Sequence, residues 1–216
     1  MSTGLIARPS HKFTVGFLIL LTSVAIASMV WLLSVDDPVR LKNLIEDDGP
    51  VQLVGQIAIA LAFALALLYS VIDRSRYGSY LLLSYLLMFY TLREADYHYK
   101  LSEYAKASQF KRFFSHELIP ISSKLFLASI VILFLVVVYR FLKAGKEPFL
   151  RALKARLPWA IFAAFWGMVA FLSQAIDQIP YFHTAVGQVY EEVFEASAEI
   201  LLLFAVVLFR IQISDD

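Results

Sequence analysis

Ile121–Tyr139 reads ISSKLFLASIVILFLVVVY and is followed at once by Arg140. The run is continuously apolar, not alternating, so it suits a helix in lipid and not a barrel strand. A helix of that length rises about 28 Å, close to the ~30 Å hydrocarbon core of a bilayer. Five further runs have the same character: Phe13–Ser34, Val51–Ile72, Gly78–Tyr97, Pro158–Ile176 and Gly187–Phe209. Pro158 sits where the start of a helix tolerates proline, and Pro120 precedes the run quoted first. The expected fold is therefore all-α: a polytopic membrane helical bundle of six transmembrane helices, one integral domain over 1–216.

Composition agrees. The chain is 60% hydrophobic and 17% charged, more apolar surface than a soluble domain of this size can hide but well suited to solvation by lipid. The absence of cysteine excludes structural disulfides, thiolate metal sites and a thiol redox relay. A formal net charge of +1 gives no sign of nucleic acid as a partner, which leaves the lipid bilayer as the partner implied. No Gly-rich phosphate loop, low-complexity tract or internal repeat is present.

The loops carry the orientation. Arg8 and Lys12 precede the first run, Arg74 and Arg76 follow the second, and Arg140, Lys143, Lys146, Arg151, Lys154 and Arg156 follow the fourth. Arg210 closes the last. With an even number of spans these fall on one side, so both termini are expected in the cytoplasm. The other side receives Asp36, Asp37, Glu46, Asp47 and Asp48, and the connection before the fourth span. Within that connection, residues 99–118 mix Leu101, Tyr104, Phe110, Phe113 and Phe114 with Lys100, Lys106, Lys111 and Arg112. That mixture fits an amphipathic segment on the membrane surface or a solvated loop. Ala25-Ile26-Ala27-Ser28 resembles a signal-peptide cleavage site, but the apolar run continues through Leu33, which favours an uncleaved anchor.

Ionisable residues inside the apolar runs point to chemistry. Glu191, Glu195 and Glu199 are spaced i, i+4, i+8 and form one helical stripe, with Glu192 beside it. Counting back from Arg210 places Glu199 about 16 Å into the membrane, Glu195 about 22 Å and Glu192 about 27 Å. Glu94, Lys124, Gln56 and Gln174 fall at similar depth on other helices, so a polar layer is expected just below the outer surface. A charge at the centre of a span costs roughly 2.5–3.5 kcal/mol. The stripe should therefore face the bundle interior, be protonated in part, or pair with Lys124 or Arg93. Desolvation favours the neutral form of a carboxyl group, and most strongly for the deepest, Glu199. The plain alternative is an interhelical ion pair, Glu94 or Glu195 with Lys124, that only orders the helices.

A second set lies at the outer helix ends. Glu94, Asp96, His98, His116 and His183 supply imidazole and carboxylate, which suit a divalent metal such as zinc, iron or manganese. Glu94 and His98, four residues apart, share a helix face. No two histidines sit at matched depth inside spans, as bis-histidine haem ligation requires.

Three stretches carry a resemblance. Glu46-Asp47-Asp48-Gly49-Pro50 leads into the second span, Leu92-Arg93-Glu94-Ala95-Asp96-Tyr97-His98 ends the third, and Glu191 to Glu199 opens the last. In these the chain resembles a group of bacterial multi-pass membrane proteins with no assigned function. The resemblance implies the fold and a location in the bacterial inner (cytoplasmic) membrane, and no activity. Intramembrane CAAX-type proteases fit poorly, because Glu191-Glu192 is followed by Ala196 where they need Arg. The residues four before His98, His116 and His183 are Glu94, Arg112 and Ile179, where they need Phe. Ceramidase-like zinc hydrolases share only the ingredients: their paired histidines on the last span are missing here.

Three functions fit these residues. The first is binding or translocation of a small solute or protons through an outer-facing acidic site, with Glu195 and Glu199 as carriers. The second is a metal-dependent membrane hydrolase using the histidine and carboxylate set. The third is a non-catalytic scaffold or accessory subunit.

Overall fold

A computed structural model of the chain describes residues 11–45, 49–94, 114–115, 120–182 and 184–213. Within them the protein is helical, with no strand. Seven helices of eight or more residues follow in order: α1 His11–Leu33, α2 Pro38–Ile45, α3 Pro50–Ile72, α4 Tyr77–Glu94, α5 Ile121–Lys154, α6 Pro158–Gln178 and α7 Ala185–Ile213. Short 3-10 turns at Arg74–Arg76 and Pro180–Phe182 join α3 to α4 and α6 to α7. Most of the segment expected to be amphipathic, 99–118, lies outside the described residues.

Among the described residues four helical stretches are long and apolar enough to cross a membrane: His11–Leu33, Pro38–Ile72, Ile121–Lys154 and Pro158–Ile176. Their large apolar side chains point outward, as at Val30, Phe126 and Phe171, the last 72% exposed. A water-soluble bundle buries such residues, so this is the surface of a membrane protein. α4 and α7 are also long, 18 and 29 residues, but bear Arg93 and Glu94, and four glutamates with Arg210.

Two elements differ from the expected spans. The acidic loop after the first span contains α2. Asp37 caps it, its Oδ1 accepting the Val39 N–H at 2.9 Å, and Pro38 takes the first helical position, where no N–H is needed. The fourth helix does not end with its apolar run at Tyr139 but continues to Lys154. Arg, Phe, Leu, Lys, Ala and Glu are adequate helix formers, so polarity ends the span without ending the helix. Pro148 lies inside this extension and removes one helical donor. The helix closes on a left-handed residue, Arg156 at φ 54°. Leu157 N–H bonds to Ala152 O at 2.9 Å and Arg156 N–H to Leu153 O at 3.0 Å, the paired bonds of a Schellman cap.

The chain divides into two compact units, Met1–Leu65 with Phe149–Asp216, and Ala66–Pro148. In the first, α6 and α7 pack antiparallel: Gln174 meets Glu195 near one end, and the Trp159 and Phe209 rings meet at 4.9 Å near the other. α1 lies along α7, with Phe17 and Phe204 ring centroids 4.1 Å apart. Met29 and Leu32 join Ile45, Val189 and Val193 in one apolar cluster, while Phe162, Leu201, Ala205 and Leu208 form another. In the second unit Tyr80 is buried against Tyr69, and Phe89 of α4 stacks on Phe134 of α5 at 4.1 Å. Helices in lipid gain little from apolar burial, so close packing and satisfied polar groups hold such units together. Ser70, Ser84 and Thr91 accordingly donate to backbone carbonyls of their own helices.

Candidate functional site

α7 builds the site, and its start is firmly set. Thr184 Oγ1 accepts the Gly187 N–H at 3.3 Å, as an N-cap does. Gly187 lies so close to the preceding turn that a Cβ there would overlap the Phe182 carbonyl. From this anchor the four-residue spacing carries Glu191, Glu195 and Glu199 down one side of the helix. Exposure falls along the stripe: Glu191, Glu192 and Glu195 are half-buried, while Glu199 is only 3% exposed.

Glu195 is held from α6. Its Oε1 accepts hydrogen bonds from Ser173 Oγ at 3.1 Å and Gln174 Nε2 at 3.0 Å. Two donors on consecutive residues converge on one carboxyl oxygen, and hydrogen bonds to a charged acceptor are the stronger kind. Ser173 is fully buried, and Glu195 gives its hydroxyl an acceptor on the neighbouring helix.

Glu199 fits closely against α3. A Cβ added at Gly55 of α3 would overlap Glu199 Oε2 and stand 3.1 Å from Ala196 Cα. Glycine therefore lets α3 approach α7 at the glutamate. Ser197 donates to Val193 O at 2.7 Å and so serves its own helix. Along α7 the carboxyls of Glu195 and Glu199 lie between the apolar cluster around Val189 and Val193 and the one around Leu201, Ala205 and Leu208. The result is a polar layer with apolar packing on both sides.

Of the residues singled out in the sequence, Gln174 and Glu195 are in direct contact, and Glu191, Glu192 and Glu199 share their helix with Glu195. Lys124 stands in the first turn of α5, half-buried, in the second compact unit. Asp96, His98, His116 and His183 lie outside the described residues, as does the side chain of Glu94. Among the described residues no group of three or more His, Asp or Glu is placed to hold a metal. Ser173 and Gly55 were not read as site residues. The signals available were a serine beside Gln174 in an apolar run, and a glycine inside a helix, which marks close approach of another backbone.

What this arrangement can do follows from its groups. A carboxyl group is the side chain here that can take up or release a proton, or accept a hydrogen bond from a polar solute. Compared with protein-family models, characterised proteins and solved structures, the chain matches none.

Proposed function

We propose that the chain is a six-span protein of the bacterial inner membrane with both termini in the cytoplasm, akin to the group it resembles in sequence. In this reading its acidic layer binds or passes protons or a small polar solute from the outer face, with Glu195 and Glu199 as the working groups. The bilayer is its partner. One observation carries the proposal: Glu199 is buried near the middle of α7, between two apolar clusters and four residues from a carboxyl that α6 supplies with two donors. Ionisable groups at such depth are expensive, and where they persist they most often mark ion or proton pathways.

The test is proton flux in proteoliposomes carrying an entrapped pH-sensitive dye, driven by an imposed membrane potential. Flux through the intact protein should fall at least tenfold in Glu199→Gln and in Glu195→Gln. Equal flux through intact protein and both variants overturns the proton reading.

The bonds from Ser173 and Gln174 favour one second reading, in which Glu195 only pins α6 to α7. Stability that falls in Glu195→Ala while flux is unchanged supports that scaffold role. Metal analysis of the purified protein decides the hydrolase alternative on Glu94, Asp96, His98, His116 and His183, which requires a stoichiometric divalent ion.

A further inference from the structure

α6 borders the acidic stripe of α7 on one flank, through Ser173 and Gln174. The other flank belongs to α3, and there the polarity of the helix is turned inward. Around Gly55 the apolar side chains of Leu53, Val54 and Ile57 are exposed, whereas Gln52 and Gln56 are partly buried. Lipid on one side of a helix and polar groups on the other produce this pattern. Neither amide is without a partner.

Two contacts fix the register of α3 on α7. Val51 packs against the apolar cluster that contains Val189 and Val193. Gly55 lies against Glu199 and Ala196, where an added Cβ would stand 3.1 Å from Ala196 Cα. Moving forward along α3 is therefore moving forward along α7, so the two helices run parallel here. At about 1.5 Å per residue, Gln52 falls at the level of Glu192 and Gln56 at the level of Glu199. Rotation agrees. At about 100° per residue, Val51 is turned about 40° from Gly55 to one side, and Gln52 and Gln56 about 60° and 100° to the other. On α7 the same rotation puts Val189 and Val193 on one side of Ala196, and Glu192, Glu195 and Glu199 on the other. Since Val51 meets the valines, Gln52 and Gln56 come to the glutamates.

On the proton reading of the site, we infer that two further residues serve it: Gln52 positions Glu192, and Gln56 positions Glu199. An amide donates its N–H to a carboxylate and accepts at its oxygen from a protonated carboxyl, so it serves a glutamate in either state. A lysine or arginine only donates, and would hold the glutamate as its anion. α3 and α6 contain no Lys or Arg, and α7 has none before Arg210. With neutral amides as neighbours, a buried carboxyl gains or loses its proton while the amide turns over, and no second charge is left behind.

The chain contains no cysteine, so cysteine pairs can be placed in the full-length protein and treated with a short bifunctional thiol reagent. Gln52→Cys with Glu192→Cys, and Gln56→Cys with Glu199→Cys, should be bridged and found as linked peptides by mass spectrometry. Ile57→Cys with Glu199→Cys should not. Failure of both glutamine pairs, or equal bridging of the Ile57 pair, overturns the placement. In the proteoliposome assay, Gln52→Leu and Gln56→Leu should each lower proton flux about tenfold, as loss of a hydrogen bond to a charged group does. Both should also displace the pH of half-maximal flux. Gln56→Asn keeps an amide and should hold flux within about threefold of the parent protein. Flux lost in Glu199→Gln but kept in both leucine variants overturns the role of the glutamines alone. Flux kept in Glu199→Gln overturns the proton reading, and that role with it. Equal loss in Gln56→Leu and Gln56→Asn with an unmoved pH profile assigns Gln56 to packing and overturns its role too.

Discussion

Gly55 on α3 and Glu199 on α7 are fitted to each other: the glutamate carboxyl occupies the space that any side chain at position 55 would need. Gly55→Ala should therefore destabilise the protein by about 1–3 kcal/mol, the usual cost of forcing a methyl group into a packed site. Thermal unfolding in detergent measures this. If the fit is the cause, Glu199→Ala should relieve part of the cost, and the double variant should be more stable than the two single effects summed. Additive effects would show that Gly55 serves something other than the glutamate.

Glu195 accepts hydrogen bonds from two residues of α6, which separates two substitutions. Gln at position 195 keeps a carbonyl oxygen to accept from Ser173 and Gln174, so Glu195→Gln should unfold close to the parent protein. Ala removes the acceptor and leaves the buried Ser173 hydroxyl without it, at a cost of about 1–3 kcal/mol. Equal melting temperatures for the two variants would mean that these hydrogen bonds do not hold α6 to α7.

Arg156 holds the left-handed position of the cap between α5 and α6, where glycine is usual. A side chain there costs roughly 1–2 kcal/mol, part of which the lower backbone entropy cost of Arg offsets. Arg156→Gly should raise stability by about 0.5–1 kcal/mol, and Arg156→Val should lower it. A melting temperature that falls in Arg156→Gly would show that the guanidinium makes a contact worth more than the strain.

Thr184 caps α7, the helix that bears the acidic stripe. Thr184→Ala should cost about 1 kcal/mol and Thr184→Ser nearly nothing, because serine retains the capping oxygen. Equal loss in both would assign the effect to the threonine methyl group and not to the cap.

Helical class and apolar character were legible in the sequence, because both depend on local rules. A continuous apolar run in lipid has to satisfy its own backbone, and a helix is the way one segment does so. The stripe of Glu191, Glu195 and Glu199 was legible for the same reason, since spacing on one helix is a local property. The end of α5 was not. Polarity marked the edge of the apolar run at Tyr139, but helix propensity carried the backbone on to Lys154.

What the sequence determined by itself is thus that the long apolar segments are helices and which of their residues share a face. What only the tertiary structure decided is what each face meets. That Ser173 and Gln174 converge on Glu195, and that Gly55 gives way to Glu199, depends on the antiparallel register of α6 with α7 and the approach of α3. Register between helices far apart in the chain is set by the complementary shapes of side chains, and no periodicity within one segment encodes it.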